Sequence, residues 1–410
     1  MTQKIFFLLT SLVCISFAFA DSSCEPCNTC SCNPCCCKPC DYVAPCPPDI
    51  CAYNAPFNRD LCCGWGVITS ASYLYWQAKE DNLEPYAQRL VNADRSSAAY
   101  VGTLDFSCHS AFQVELGIDF GCDHWQTCVQ YTRYHHDAGK NSISIIPTAD
   151  PIDGEQILQF FPLFTVGDMS IAATRNLSIS SESILNTTWN LKLDVVDGQI
   201  KRSFYVGKCL IFSPFAGLKG AWIDQKITQA ADLFYQVVDV PPPERFQEKS
   251  FFTTKSSAVG PRMGMNTDWL VWCDFRFVAN MATSLLYTEY KIQANDSDGV
   301  IVQPFNSNEP VDFSAEISLI KQCALRPVLE LGIGLGWGSP FFCNKWYFDI
   351  EVRYDAAIYW SQNVFPQYTI FPSQGDNALP NNSADAFYFL DFGRGDLFLH
   401  GLTVKARIEF

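Results

Sequence analysis

The sequence predicts a transmembrane antiparallel β-barrel, and three observations carry that prediction. Long segments alternate apolar and polar residues with period two, beyond the first 20 residues no apolar run is long enough for a membrane helix, and charge is scarce. Aromatic residues make up 14% of the 410-residue chain and charged residues only 17%, against roughly 25% charged in a typical soluble domain. A chain of that composition has much apolar surface to hide and little charge to hold it in water. With no spanning helix, the only way across a bilayer is a closed set of strands, because lipid leaves no partner for an unpaired backbone group.

The chain divides into three zones. Residues 1–20 read as a signal peptide: Lys4 gives the positive start, Ile5 to Phe17 is apolar, and Ala18-Phe19-Ala20 is a small-x-small cleavage site. A membrane anchor would need a longer apolar run of about 20 residues.

Residues 21–63 hold 12 of the 20 cysteines: Cys24, Cys27, Cys30, Cys32, Cys35, Cys36, Cys37, Cys40, Cys46, Cys51, Cys62 and Cys63. With almost nothing apolar to bury, this segment is expected to be disordered. Disulfide formation is expected of cysteines in an oxidising envelope. Adjacent residues such as Cys35-Cys36-Cys37 pair poorly among themselves, which favours bonds to other chains. Zinc binding by the CxxC and CxC spacings and a reduced, unstructured tail remain the alternatives.

Residues 64–410 carry the barrel signal. Phe112, Val114, Leu116, Ile118 and Phe120 alternate with Gln113, Glu115, Gly117 and Asp119. Trp189, Leu191, Leu193 and Val195 flank Asn190, Lys192 and Asp194, and the series from Phe348 to Tyr359 alternates in the same way. The closing segment sets Leu402, Val404, Ala406, Ile408 and Phe410 against Thr403, Lys405, Arg407 and Glu409. Period two over nine or more residues is a strand with two chemically different faces, and about 9–11 residues cross a bilayer at a tilt. A soluble sandwich would alternate too, but its strands usually run only about 5–6 residues. Aromatics near candidate strand ends, among them Tyr73, Tyr75, Trp76, Trp125, Trp346 and Trp360, match the interfacial girdles of membrane barrels.

Polar joins at Asp123-His124 and Asp197-Gly198 read as tight turns. Polar stretches near 80–108, 136–182, 240–258, 294–310 and 362–395 read as long loops. The candidate strands number about 12, and the expectation is an even count of about 12 to 16.

Specific segments carry a family resemblance. Gly64-Trp65-Gly66 followed by Ala71-Ser72-Tyr73-Leu74-Tyr75-Trp76-Gln77-Ala78 resembles the opening strand of the Legionella-type major outer membrane proteins, a family also found in chlamydia-like bacteria. The segments 112–121, 124–135, 189–204 and 215–224 are similar to that family. So are Gly260-Pro261-Arg262-Met263-Gly264, Leu325 to Gly332 and His400 to Ala406. The resemblance implies a pore-forming barrel of the bacterial outer membrane, with passive diffusion of small hydrophilic solutes, no cofactor and no enzymatic chemistry. It also implies that Phe410, ending an alternating strand, is the signal read by the barrel assembly machinery. Related pores are often trimers, so a homo-oligomer is compatible with it. The dense cysteine segment departs from the Legionella-type pattern and is closer in style to disulfide-linked chlamydial envelopes. There it would sit in the periplasm, bonded to other cysteine-rich envelope proteins.

In a pore the polar face lines the lumen. The candidate lining residues are Glu115, Asp119, Lys192, Asp194, Asp274, Arg276, Asp349, Glu351, Arg353, Lys405, Arg407 and Glu409. Both signs occur, which allows a transverse field across a constriction. Two other roles compete with conduction: a non-conducting envelope scaffold anchored by the barrel, and an adhesin acting through its loops. The acidic balance, a formal net charge of −15, argues against nucleic acid. Outer-membrane lipids are the expected surroundings. His135-His136-Asp137 reads as an exposed loop rather than a metal site, and no nucleophile elbow, P-loop or HExxH motif occurs. Gly332, Gly334, Gly336 and Gly338 read as small lumen-facing strand residues.

Overall fold

A computed structural model describes residues 66–91, 97–120, 125–145, 157–164, 177–179, 182–206, 210–237, 240–272, 275–296, 299–301, 311–313, 316–341, 346–371, 387–392 and 394–410. The signal and the cysteine-rich segment lie outside this set, as does Asp274. Ten strands form the wall. In chain order they are β1 (Gly66–Glu80), β2 (Cys108–Asp119), β3 (Trp125–Ile145), β4 (Ser183–Arg202), β5 (Leu210–Val237), β6 (Val240–Trp272), β7 (Phe275–Asp296), β8 (Glu316–Phe341), β9 (Trp346–Asn363) and β10 (Gly395–Glu409). Each pairs antiparallel with its sequence neighbours, and β10 returns to β1, so the sheet has no open edge. Closure satisfies the ladder all the way round, which is the condition for spanning lipid.

The register fixes the barrel's proportions. Starting at Leu335 on β8 and stepping across partners through Val352, Val404, Tyr73, Phe112, Arg133, Asp194, Trp222, Ser257 and Glu289, the path regains β8 at Cys323. It arrives twelve residues from where it left, a stagger that tilts ten strands by about 40° to the axis. Ten strands are fewer than the 12 to 16 expected. The chain is spent on length instead: β5 runs 28 residues and β6 runs 33, far beyond the ~9–11 a bilayer needs. The stretches 136–145 and 240–258 are therefore strand, not loop, and Asp197-Gly198 sits within β4 rather than at a turn.

Connections are asymmetric. At the turn end β2–β3, β4–β5, β6–β7 and β8–β9 are joined briefly; at the loop end lie the long segments after β1, β3, β7 and β9. Two small sheets stand in those segments. One pairs Tyr86–Val91 with Ser97–Val101 and Ile157–Pro162; the other pairs Pro366–Phe371 with Phe387–Phe392. The outer face is apolar along a band that includes Leu116, Leu218, Met263, Leu325 and Ile333, all well exposed. Such an area left open to water would be a liability; against acyl chains it is the required surface. Trp125, Trp269, Phe277 and Trp346 mark its margin toward the turn end, and Trp222 and Tyr287 its margin toward the loop end, the positions of the interfacial girdles.

Candidate functional site

The barrel interior is built in two layers. In the half toward the turn end, inward positions are charged and paired. Arg276 of β7 is 1% exposed and reaches Asp349 at 2.5 Å, Glu351 at 3.0 Å and Asp268 at 3.1 Å. Glu351 also takes Arg353 at 3.0 Å, whose guanidinium approaches Asp355 at 3.4 Å. Lys405 meets Glu115 at 2.6 Å, and Ser70 donates to the same carboxylate; Arg407 pairs with Glu409. A second cluster joins Lys219 to Asp197 at 3.0 Å and to Glu330 at 2.5 Å, with Arg262 bonding Glu330 from its other side at 2.5 Å. Charges removed from water persist only when partnered in this way.

The inward glycines of β8 make room for this layer. A Cβ at Gly336 would sit 2.9 Å from the Arg276 guanidinium carbon, and one at Gly338 would meet the Tyr347 hydroxyl. The run Gly332 to Gly338 thus faces inward, as its alternation indicates, and the space it frees is taken by long side chains from β7 and β9.

Toward the loop end the inward face turns apolar. Trp189, Leu191, Leu193 and Val195 of β4 pack with Ile223 and Ile227 of β5 and Phe252 of β6. Four residues from the connections complete this core: Leu83, Leu104, Phe164 and Phe365. Phe164 lies edge-on to Phe252 and Phe365, with ring centroids 5.7 and 6.4 Å away. Its amide donates to Gln229 Oε1 at 3.1 Å, while Gln229 Nε2 donates to the Pro85 carbonyl at 2.8 Å. The connections are therefore tied into the mouth as a plug. Inside it, Glu80 is buried and takes a hydrogen bond from Gln225 Nε2 at 3.0 Å, and Gln225 Oε1 accepts from Trp189 Nε1 at 3.2 Å.

Among the expected lining residues, the structure brings Glu115, Asp119, Arg276, Asp349, Glu351, Arg353, Lys405, Arg407 and Glu409 to the inward face of the turn half. It does not bring Lys192 and Asp194 there. Both point outward from β4, where Asp194 accepts from Tyr131 Oη at 2.6 Å and lies 2.7 Å from His135 Nε2. They stand past the apolar band, where the outer face is wet and the inner face is the apolar core. Nor, among the described residues, is the lumen the open, water-filled space expected of a larger barrel: ion pairs occupy one half and the plug the other. Lys201, Lys219, Arg262 and Glu330 are inward charges that pattern reading overlooked. Lys219, Arg262 and Glu330 are each a lone charge between less polar outward neighbours, as Glu330 is between Leu329 and Leu331, and Lys201 is followed by the outward Arg202. Phe410 completes the ladder, exchanging backbone hydrogen bonds with Val67 at 2.7 and 3.1 Å and stacking on Trp346 at 4.9 Å.

The family model for the Legionella pneumophila major outer membrane protein precursor matches residues 63–408. No curated relative matches the chain. Among solved structures, the outer membrane protease OmpT from Escherichia coli is similar with a TM-score of 0.42 at 8% identity, over 86% of this chain and 99% of that one. The P. putida toluene transporter TodX is similar with a TM-score of 0.19 at 7% identity, over 87% and 94%. With the family match spanning the closed wall and its apolar band, the chain belongs to the Legionella pneumophila major outer membrane protein family and is a β-barrel of the bacterial outer membrane.

Proposed function

We propose that this protein is an outer-membrane channel for passive diffusion of small hydrophilic solutes, closed in the arrangement described above by two fillings that can leave. The observation that carries the reading is what fills the barrel. In the turn half it is long, flexible side chains lying against inward glycines; in the loop half it is residues of the connections, not of the wall. Neither filling requires a wall strand to move when it is displaced. The inward charges of both signs then line the path, with no covalent chemistry and no cofactor. Outer-membrane lipids surround the apolar band, and the barrel assembly machinery takes up the terminal strand through Phe410.

Planar-bilayer conductance of the refolded mature protein tests this. Stepwise openings are expected, and Phe164→Ala combined with Phe365→Ala should raise the open fraction severalfold by weakening the plug. A silent bilayer from both proteins, folded and inserted, would remove the channel reading.

A second reading has its own support: the ion-paired layer is nearly complete, which suits a non-conducting envelope anchor. On that reading Cys24 to Cys63 tie the barrel by disulfides to other cysteine-rich envelope proteins. Reductant should then release monomers from envelope complexes; no change on reduction would count against it.

A further inference from the structure

Three lysines stand in one row on the outer wall. The register sets Lys255 of β6 opposite Lys291 of β7, and Lys291 opposite Lys321 of β8. All three are exposed and project outward, since Ser256, Tyr290 and Ile292 beside them are buried and face in. Side chains directly opposite on neighbouring strands lie roughly 5 Å apart, and like charges so placed destabilise a sheet. Among the described residues none of the three lysines forms an ion pair or a hydrogen bond. Four residues nearer the band, the same strands present Val259, Tyr287 and Leu325, again in one row and all exposed. A cationic row thus lies directly over an apolar one.

Nearby carboxylates do not balance the row. Across β5 it continues to Asp224, which lies between Lys255 and Lys192 of β4. The described outward positions two residues to either side, on β5 to β8, add one carboxylate, Glu289, and one further cation, Lys226. The patch on those four strands therefore carries four ammonium groups against two carboxylates, in a chain whose formal net charge is −15. Extending the patch to β4 adds Lys192 and Asp194 and leaves the excess as it is. Its height is fixed by aromatics on the same strands. Trp222 is opposite Ser257, two residues nearer the band than Lys255, and Tyr287 lies four residues nearer than Lys291. At about 3.3 Å per residue and a tilt of about 40°, the lysines stand roughly 5–10 Å past the aromatic margin. That is the depth of the headgroup layer flanking the hydrocarbon.

We infer that the row Lys255, Lys291 and Lys321 is a docking surface for the phosphate headgroup of an anionic lipid in the leaflet at the loop end. The phosphate oxygens accept from the ammonium groups and supply the negative charge that the wall lacks. The acyl chains of the same molecule lie along Val259, Tyr287 and Leu325. The inference rests only on the membrane setting of the barrel, so a silent bilayer would leave it untouched.

Dioleoyl phosphatidic acid is the probe, added to the refolded full mature chain in neutral detergent, with bound lipid counted by native mass spectrometry. The first phosphatidic acid should bind at least about fivefold more tightly than phosphatidylcholine of the same chains, the effect of a single lysine at a membrane surface. Lys255→Gln combined with Lys291→Gln and Lys321→Gln should erase that margin. The charge-matched combination of Lys79→Gln, Arg133→Gln and Lys140→Gln, at outward cations of β1 and β3, should keep it. No margin in the parent overturns the inference, and so does equal loss in the two triple variants. Excess inorganic phosphate should leave the lipid bound; its displacement would mean that the row reads free phosphate, and the lipid assignment would fall. If the β6–β8 variant does not refold, acylation of the parent in vesicles decides. Replacing phosphatidylcholine by phosphatidic acid should slow modification of Lys291 severalfold relative to Lys79, and equal slowing overturns the proposal.

Discussion

The two halves of the wall obey opposite rules of sidedness. Within the apolar band the outward face is apolar and the inward face polar: Val196 and Ile200 point out, Asp197, Gln199 and Lys201 point in. Past the band the same strand has Asn190, Lys192 and Asp194 outside and Trp189, Leu191 and Leu193 inside. The strand's geometry is unchanged; its solvent is not. Lipid outside demands an apolar exterior, and water outside allows the interior to be an ordinary core. β7 makes the same exchange, from Phe277 and Met281 outside with Arg276 inside to Glu289 and Lys291 outside with Tyr290 and Ile292 inside. Period two is therefore necessary for a wall strand but does not say which face looks inward.

The contrast is sharpest where a charge is removed from each half. Arg276→Met takes that cation from Asp268, Asp349 and Glu351, of which Glu351 keeps Arg353, and should destabilise by about 3–5 kcal/mol, the usual cost of stripping one partner from a buried network. Urea unfolding in vesicles, followed by tryptophan fluorescence, measures it. A loss below about 1 kcal/mol would mean that the layer is hydrated rather than packed.

Next in size is Ile333→Arg on the outward face of the band, with an expected penalty of about 2–4 kcal/mol at mid-bilayer depth. The same assay applies, and a neutral result would displace the lipid boundary assigned here.

Asp232→Asn lies on the β5–β6 hairpin well past the band, where Arg245 holds the Asp232 carboxyl below its usual range through their hydrogen bonds at 2.9 and 2.7 Å. The pair is about one-third exposed, so solvent screening should keep the cost below about 1 kcal/mol. A depressed folded-state pKa means that this contribution is present above the ordinary aspartate range. It is lost as pH falls through the folded value, so parent and variant should converge in acid. Smallest of all, Lys192→Leu should change stability by no more than about 0.5 kcal/mol. An inward, ion-paired Lys192 would instead give a loss several times larger.

Strand identity, antiparallel pairing and the membrane setting were legible in the sequence because alternation reports them directly. The inward charges on β2, β9 and β10 were legible too, since those strands lie mostly inside the band and keep one phase. Lys192 and Asp194 were misplaced because the phase inverts between them and Lys201. A trace of that inversion exists in Val195-Val196, two apolar neighbours where strict alternation would place one. The strand count was overestimated because polar outward residues past the band resemble loops when every strand is assumed to end at the lipid. The plug was not legible: Leu83, Leu104, Phe164 and Phe365 sit in irregular segments, where no periodicity announces a buried side chain.

The seam between β10 and β1 has a consequence for timing. Val67 and Phe410 bond across nearly the full length of the described chain, and Trp76 Nε1 donates to Thr403 Oγ1 at 3.1 Å along the same line. Contacts that join such distant parts of a chain are slow to form, because the intervening loop must be restrained before any of them rewards it. Until the last strand arrives, β1 presents a bare row of amides and carbonyls that any passing strand can claim. The ring is completed by β10, so a chain that lacks this strand is left with two sticky edges rather than a slightly smaller barrel.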